Sequence, residues 1–220
     1  VVEDNYQSAQ PEDAEKPEGA DQPESAEEPK SADRQESADQ QAAPAAAPAD
    51  TTPVNPKDDG FWGNTITVIN NFANTVLNLT LKDVKIDVSH TGTENYINPE
   101  AGKAALSVQG KGNVEIELDG KNELKSGVYR AGLEKTSTGT LTLKDDNQKD
   151  DNQKAGSLTA TGGSYSAGIG GSYWGSGENI TINGGTVTAT GSYYGAGIGG
   201  GENGSGKNIT INGGTVNAKG

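Results

Sequence analysis

Regularly spaced aromatic residues are the side chains of this sequence best suited to binding chemistry. Tyr165 and Tyr194 lie 29 residues apart, and Tyr173, Trp174 and Tyr193 flank them in the same glycine-rich stretches. Exposed aromatic faces pack against the C–H groups of sugar rings, and they suit protein partners equally well. The sequence therefore predicts a ligand-binding surface formed by these five residues, with packing of the rings over turns as the alternative.

Acidic residues form one dense group, in the tandem duplication KDDNQKDDNQK at residues 144–154. Catalytic carboxylates belong on rigid strands with tuned surroundings, so this group is interpreted as a mobile charged loop. Weak calcium binding by the loop is the alternative. Asp119 has the best catalytic prospects among the strand carboxylates, but surface charge is the simpler explanation. The acids of the loop are Asp145, Asp146, Asp150 and Asp151.

Other catalytic and metal-binding patterns are missing from the sequence. There is no cysteine, which excludes a disulfide framework, a thiolate metal site and a cysteine nucleophile. His90 is the one histidine and Arg130 the one arginine after residue 60, and neither has a repeated partner. No phosphate-binding loop, zinc-ligand spacing or nucleophile elbow is present. We therefore expect no enzyme activity, no cofactor and no bound metal.

An internal repeat near the C-terminus predicts the elements that position the aromatic residues. Residues 156–184 align with residues 185–213 as GSLTATGGSYSAGIGGSYWGSGENITING above GTVTATGSYYGAGIGGGENGSGKNITING. A fixed period with three short strand-like pieces in each repeat is typical of a solenoid. Glycine and asparagine at the joints supply the left-handed backbone conformations that the corners need. The predicted fold is therefore an all-β parallel β-helix with coils of 29 residues.

Alternation within the pieces predicts which side chains face the interior. Ile180 and Ile182 share one face of NITIN, and Val187 and Ala189 share one face of TVTAT. Equivalent residues of successive coils should stack about 4.8 Å apart, because that is the spacing between paired strands. The predicted stacks are Leu158 with Val187 and Val216, Ile169 with Ile198, Ile180 with Ile209, Asn179 with Asn208, and Asn183 with Asn212.

The same frame continues upstream with unequal steps. Leu106 and Leu133 lie 27 residues apart, whereas Leu133 and Ile169 lie 36 apart. The longer step coincides with the 144–154 duplication, which should protrude as a loop at a corner. The frame predicts four to five coils, with residues 61–80 as the first coil or cap. The residues expected to cover the open end are Phe61, Trp62 and Phe72.

Composition separates an acidic segment from the repeats. Residues 1–60 contain sixteen Asp and Glu against four Lys and Arg, and eight of the nine prolines lie at or before Pro56. Such a segment cannot bury enough apolar surface to offset its ordering entropy. We predict a disordered acidic stalk over residues 1–59 and the β-helix over residues 60–220. Nucleic acid binding and a membrane span are not expected, because the sequence forms no basic patch and no long apolar run.

The two ends of the sequence carry expectations of their own. The chain contains no methionine, even at its first residue, so we expect a mature form or a fragment. Gly220 ends within a predicted coil, which predicts that further coils have been removed and that the open strand edge can pair with another copy. A long acidic stalk before Gly/Asn/Thr-rich repeats suits the cell exterior. We therefore expect a secreted or surface-displayed protein.

The repeat motifs resemble those of a known group of proteins. The runs AGIGG, GENITINGGTVTATG and GAGIGGG, and upstream VEIELDGKNELKSGVYRAGL, GTLTLKDD and GSLTATGG, are similar to repeats of surface proteins from gut Gram-positive bacteria that are labelled carbohydrate-binding domain-containing. The resemblance covers roughly residues 76–220. It implies a right-handed parallel β-helix of the pectin-lyase-like type and a role in attachment to polysaccharide. Its motifs are specific for the fold and weak for the ligand.

Four functions remain open from the sequence. The first is a non-catalytic adhesion module whose partner is a polysaccharide or a host surface glycoprotein. The second is a protein-binding surface antigen, for example one that recognises immunoglobulin or mucin. The third is a fragment of a polysaccharide lyase or hydrolase, and the fourth is a spacer without a ligand. The absence of a clustered carboxylate and basic constellation on predicted strands favours binding over catalysis.

Overall fold

A computed structural model describes residues 59–95, 97–146 and 155–220 of the chain. These residues form three parallel β-sheets of five strands each, and the chain visits the three sheets in turn. Each visit to all three sheets is one coil, so the described residues contain five coils. Together with the stacked register, this arrangement is a right-handed parallel β-helix, which confirms the predicted fold class.

The strands are short, as the alternating runs of β-branched and polar residues predict. Sheet 1 contains β1 (Ile66–Asn70), β4 (Leu106–Gly110), β7 (Leu133–Lys135), β10 (Ile169–Gly170) and β13 (Ile198–Gly199). Sheet 2 contains β2 (Val76–Lys82), β5 (Asn113–Asp119), β8 (Leu141–Lys144), β11 (Gly177–Ile182) and β14 (Gly206–Ile211). Sheet 3 contains β3 (Lys85–Asp87), β6 (Lys121–Lys125), β9 (Ser157–Thr161), β12 (Thr186–Thr190) and β15 (Thr215–Lys219).

The register of the sheets confirms the predicted stacks. Ile169 pairs with Ile198 and also with Leu133, so the 36-residue spacing between Leu133 and Ile169 preserves the strand register. Leu158 pairs with Val187, which in turn pairs with Val216. The asparagine stacks are hydrogen-bonded: Nδ2 of Asn208 donates to Oδ1 of Asn179 at 2.9 Å, and the Asn212 and Asn183 side chains form the same bond.

Aliphatic side chains from all three sheets fill the interior. Each Leu or Ile that is removed from water contributes about 1.5–3 kcal/mol to stability before entropy costs. No coil can bury its inner face without its neighbours, so stability is shared along the rod. The largest fully buried side chains are Leu81, Leu106, Ile116, Leu118, Leu124, Leu133, Leu141, Leu143, Leu158, Ile169, Ile180 and Ile182.

One asparagine also lies within this interior, which alternation of apolar residues does not predict. Asn122 is 1% exposed at the corner between sheets 2 and 3. Its Nδ2 donates to the backbone carbonyls of Leu81, Asp119 and Ser157, and its Oδ1 accepts from the N–H of Val84. The amide is therefore satisfied by three successive coils, and such satisfaction is what makes a buried polar group tolerable.

Lys135 is a second polar residue in the interior. It stands in register with Val108, which is paired with Val68, so its side chain occupies an inward position of sheet 1. The residue is 2% exposed, and its Nζ donates to the carbonyl oxygen of Ser137 at 2.8 Å. Burial lowers the pKa of Lys135 to about 8, and the charge of Glu178 opposes that shift.

The first coil is covered less completely than predicted. Phe61 is buried, and the Lys125 Nζ lies 4.1 Å from the centre of its ring. Trp62 forms a parallel bridge with Ile86 and is 38% exposed. Phe72 is 74% exposed, so the prediction that it covers the open end is wrong. It lies in the turn between β1 and β2, where its backbone N–H bonds to the side chain of Asn70 and its ring projects outward.

Two predicted segments lie outside the described residues. They are the acidic stalk over residues 1–59, apart from its last residue, and most of the 144–154 duplication. The domain boundary at residue 59 therefore stays a prediction. Over the part of the chain that the structure describes, no helix is long and apolar enough to cross a membrane.

Candidate functional site

The turns at the two ends of the sheet 1 strands bring the aromatic residues together. Tyr165 lies in the turn between β9 and β10, and Tyr193 lies in the turn between β12 and β13. Tyr173 and Trp174 lie in the turn between β10 and β11. Because β10 has only two residues, the turns that precede and follow it are close neighbours, and the N–H of Ala167 donates to the carbonyl of Gly171 at 3.0 Å.

Tyr129, in the turn between β6 and β7, completes this group although it was not predicted. Its ring stacks on Tyr173 with centroids 5.1 Å apart, and it lies 6.0 Å from the ring of Tyr165. A sequence signal was available, since Tyr129 and Tyr165 are separated by the same 36 residues as Leu133 and Ile169. The motif VYRAGL thus aligns with SYSAGI.

The rings of Tyr129, Tyr165, Tyr173, Tyr193 and Trp174 form a continuous surface, here called the aromatic platform. Tyr165 is its centre, with ring centroids 5.6 Å from Tyr173 and 5.9 Å from Tyr193. Trp174 meets Tyr173 edge to face at 5.9 Å. These separations and tilted orientations are those of favourable aromatic pairs. The platform thus crosses three successive coils.

Exposure increases from the centre of the platform to its edge. Tyr129 and Tyr165 are half-buried. Trp174 is 67% and Tyr193 is 68% exposed, and the exposure of Tyr173, 37%, is intermediate. Water-exposed ring faces that rest on half-buried rings form a supported apolar surface, which is the usual construction of a contact site.

Tyr194 does not join the platform, contrary to the predicted stacking of Tyr165 and Tyr194. The two residues do occupy equivalent turn positions, but among the described residues the ring next to Tyr165 is that of Tyr193. The turn closed by the bond from Gly195 to Ser192 has positive φ at both central residues, whereas the Tyr165 turn has it at Tyr165 alone. This difference in turn type reorients the side chains, and Tyr194 is left 83% exposed.

Five of the aromatic residues adopt left-handed backbone conformations. Their φ angles are between 25° and 65°, a region that costs an L-residue with a bulky side chain about 1–2 kcal/mol. The prediction that glycine and asparagine supply these conformations is confirmed at Asn179 and Asn208, but it missed the aromatic residues. The five are Tyr129, Tyr165, Trp174, Tyr193 and Tyr194.

The turn geometry does not itself require an aromatic residue. Asn203 follows Trp174 by one coil, lies in an equally closed turn and has the same φ of 60°. Asparagine adopts this conformation more readily than tryptophan because its side chain is small and polar. The presence of Trp174 at this position therefore works against local backbone stability.

An ion pair anchors one of the turns beneath the platform. Glu134 is 3% exposed, and its two carboxylate oxygens lie 3.3 and 3.4 Å from Nη1 of Arg130. Arg130 also donates from Nε to the carbonyl oxygen of Gly102. Because Arg130 follows Tyr129 directly, these bonds fix the turn that presents Tyr129.

The other candidate residues of the sequence lie apart from the platform. Asp119 pairs with Lys82 at 2.9 Å, on the outer side of sheet 2. Lys144 lies between Glu115 and Asp146, at 3.1 and 3.0 Å. Hydrogen bonds to these two carboxylates, that of Asp146 first, raise the pKa of Lys144. Asp150 and Asp151 lie outside the described residues, so calcium binding by the duplicated loop stays untested.

No cluster of three or more His, Cys, Asp or Glu side chains able to hold a metal occurs within residues 59–95, 97–146 and 155–220. His90 is exposed in the turn after β3, and Arg130 has the partners described above. Glu117 points outward by alternation yet is buried, because its Oε1 accepts the N–H of Asp146. Asp146 thus lies next to this strand.

The stacked parallel sheets define the chain as a parallel β-helix protein, and comparison with known proteins agrees. A family model described as a beta helix repeat matches residues 154–173, 180–202 and 209–220. The matched segments contain Tyr165, Tyr173 and Tyr193, whereas Tyr129 and Trp174 lie outside them. A search of curated proteins and a search of solved structures each found no match. The fold is compatible with carbohydrate binding or protein binding.

Proposed function

We propose that this chain is a non-catalytic carbohydrate-binding module of a secreted or cell-surface protein, with the aromatic platform as its binding surface. The observation that supports this most is the continuity of the rings around Tyr165, whose centroid lies within 6.0 Å of three others. A sugar ring presents a face of C–H groups that packs on such rings, and a chain of sugars can cover several of them. The predicted resemblance to carbohydrate-binding surface proteins agrees with this assignment.

The backbone conformations of the rings support a functional rather than a packing role. Trp174 and Tyr193 are mostly exposed, so they bury little area to offset the cost of a left-handed φ. Strain of this kind persists where a function needs the side chain in that place. Packing over corners would instead favour small residues such as Asn203.

The strand carboxylates support binding rather than catalysis. Asp119 and Glu115 are paired with lysines, and Asp87 accepts from Lys125 at 3.4 Å. A pair of carboxylates that performs acid–base hydrolysis needs separate environments that move their pKa values apart. Salt bridges with lysines on the outer faces of the sheets suit surface charge.

Replacement of Trp174 and Tyr193 by Asn tests this function. Asn203 shows that the turn accepts Asn at φ near 60°, so Trp174→Asn preserves the backbone. We expect the double variant to lose about 5- to 150-fold in affinity for its glycan, since each of the two lost stacking contacts contributes about 0.5–1.5 kcal/mol. The unfolding temperature should stay equal or rise, because the left-handed strain is relieved. Binding is measured on a glycan array and by affinity electrophoresis in soluble polysaccharides.

Phe72→Ala is the matched control, because Phe72 is also an exposed aromatic residue of a turn but belongs to the first coil. It should leave glycan affinity unchanged. A double variant that binds as well as the parent, or that unfolds at a clearly lower temperature, would contradict the proposal and favour packing. Retention of a serum or mucus protein after its deglycosylation would show that the platform binds protein instead. Release of reducing or unsaturated sugar would show an enzyme.

A further inference from the structure

The charges around the aromatic platform narrow the class of glycan. We propose that the platform binds glycans without anionic groups and discriminates against glycans that carry uronate, sialate or sulfate. This inference rests on the proposed function, because it concerns the same rings. It is carried by the carboxylates that surround and underlie Tyr165.

The first of these carboxylates comes from the loop after β3. Oε2 of Glu94 lies 3.1 Å from Oγ of Ser164, the residue directly before Tyr165. The loop turns back on itself through paired backbone bonds between Thr93 and Glu100, and Glu94 is exposed beside that bridge. A ligand that lies over Tyr165 therefore meets a negative charge at one side.

The second carboxylate belongs to Glu202, in the turn one coil after that of Tyr173. The N–H of Glu202 donates to the carbonyl of Tyr165 at 2.8 Å, and its carbonyl accepts from the N–H of Trp174 at 2.9 Å. Glu202 is half-buried and follows Tyr173 by 29 residues, so coil 5 has a carboxylate residue at the position where coil 4 has a ring.

The third carboxylate belongs to Glu134 on β7 and holds the arginine that follows Tyr129. Glu134 is 3% exposed and holds the guanidinium of Arg130 by two contacts of 3.3 and 3.4 Å. Oγ of Ser107 donates to the same carboxylate. Arg130 is the arginine next to Tyr129, and its two bonds to Glu134 and one to Gly102 oppose its reorientation toward a ligand anion.

The remaining charged groups at this corner are His90, Glu100, Lys103 and Lys219. The carbonyl of Lys103 accepts from the N–H of Gly127, at the start of the turn of Tyr129, and the carbonyl of Lys219 accepts from the N–H of Gly191, at the start of the turn of Tyr193. His90 is exposed in the turn after β3. With Arg130, the three cationic side chains are outnumbered by the four carboxylates of Glu94, Glu100, Glu134 and Glu202. Repulsion over a few ångströms persists at physiological salt, where the screening length is about 8 Å.

The test compares matched polymers with and without anionic groups. The probes are a mucin-type glycoprotein before and after sialidase, and pectin in methyl-esterified and de-esterified forms, with galactomannan and β-glucan as further neutral polymers. We expect the neutral member of any bound pair to bind at least tenfold tighter than the anionic member. Glu94→Gln with Glu202→Gln should narrow that difference at least threefold and leave the affinity for the neutral member unchanged. The measurement is affinity electrophoresis repeated at two salt concentrations.

Glu115→Gln with Glu123→Gln is the control, because it removes the same charge from the outer faces of sheets 2 and 3. This variant should leave the ratio between members unchanged. Tighter binding of the anionic member, with loss of binding in the Trp174 and Tyr193 variant, would overturn this inference and leave the proposed function standing. Failure of every probe to bind would overturn the proposed function, and this inference with it.

Discussion

Lys135 places a titratable charge inside an aliphatic interior. The residue is 2% exposed, and its ammonium group donates a hydrogen bond to the carbonyl oxygen of Ser137. The hydroxyl of Ser137 is itself buried and lacks a hydrogen-bond partner within the described residues. A charge in such a place costs stability unless it is fully compensated. The position therefore couples the stability of the fold to pH.

Replacement of Lys135 by Met should stabilise the protein at pH 7. The pKa of Lys135 is about 8 in the folded chain and about 10.4 in an unfolded one, so the unfolded chain binds more protons between these values. Stability of the parent should therefore rise between pH 8 and 10.4, by at most about 3 kcal/mol. The gain in the free energy of unfolding that Lys135→Met gives over the parent should therefore decrease over the same pH range. Urea unfolding of both proteins at pH 7, 8.5 and 10 measures this gain.

Lys121→Met is the control for this pH series, because Lys121 is exposed on β6. Its effect on the free energy of unfolding should be small and constant with pH. An advantage of Lys135→Met that stays the same from pH 7 to 10 would contradict the assignment of the titration to Lys135.

At the residue scale, the sequence predicted the positions of some side chains and not of others. The aliphatic stacks were predictable from the repeat period and the alternation of apolar and polar residues. The burial of Asn122 and Lys135 was not, because alternation predicts that a polar residue of a strand faces the solvent. Tyr129 could have been found from the 36-residue step. The contact of Tyr165 with Tyr193 instead of Tyr194 could not be predicted, because it depends on the turn type, which the repeat pattern does not specify.

Among the elements, the two-residue strands of sheet 1 depend on glycine. Gly170 pairs with Gly199, and it has a φ of 129°, which only glycine adopts readily. A Cβ at this position would lie 2.1 Å from the backbone oxygen of Gly199. The two-residue length of β10 also sets the distance between the turns that carry Tyr165 and Tyr173.

Gly170→Ala should destabilise the fold by about 3 kcal/mol, since backbone strain and overpacking add. Gly63→Ala is the control, because no atom beyond its two chain neighbours lies within 4 Å of the Cβ it would add. It should change the free energy of unfolding by less than about 0.5 kcal/mol. Thermal and urea unfolding followed by circular dichroism give both values. Equal stability of the two variants would contradict the close packing of β10 against β13.

Element boundaries were predictable in sheets 2 and 3 and less so in sheet 1. The pieces NITIN and TVTAT became β11 and β12 because their apolar residues alternate over a full strand length. AGIGG contributes only two strand residues, since its glycines turn the chain at both ends. The short length of this strand was not evident from the sequence, yet it brings the turns of Tyr165 and Tyr173 together.

For the whole molecule, solenoid packing predicts that equal substitutions have unequal costs along the rod. Val187 and Val216 belong to one stack and pair with each other, but Val187 is fully buried in coil 4 and Val216 is only half-buried in coil 5. The difference arises because Val187 has a neighbouring coil on both sides in this 220-residue chain. The pair is therefore a matched measure of neighbour packing.

Val187→Ala should lower the free energy of unfolding by about 2 kcal/mol, from lost burial and a residual cavity. Val216→Ala should lower it by well under about 1 kcal/mol, because the site already meets water. Both are measured by urea unfolding with a common m-value. A cost for Val216→Ala that equals that for Val187→Ala would show that coil 5 is covered in solution, for instance by another copy of the chain.

The architecture of the whole molecule was the most predictable level. A 29-residue period with three alternating pieces specifies the number of sheets, the stacking direction and the interior. The aromatic platform was predictable as a set of residues, except for Tyr129 and Tyr194, but not as a shape, because it is assembled from turns. Turn geometry depends on single peptide orientations, which repetition does not encode.

The rings of the platform converge from turns at both ends of a sheet 1 strand, and their centroids lie 5.1–6.0 Å apart. Tyr129, Tyr165 and Tyr193 stand in successive turns of one corner, with centroids 6.0 and 5.9 Å apart, more than the rise of about 4.8 Å between coils, so their rings tilt against each other. At the other end of the sheet 1 strand, the turn one coil after that of Tyr173 and Trp174 carries Glu202 and Asn203. A ligand on the platform would therefore find consecutive rings along the rod at the corner of Tyr165, and a single pair of rings at the corner of Tyr173.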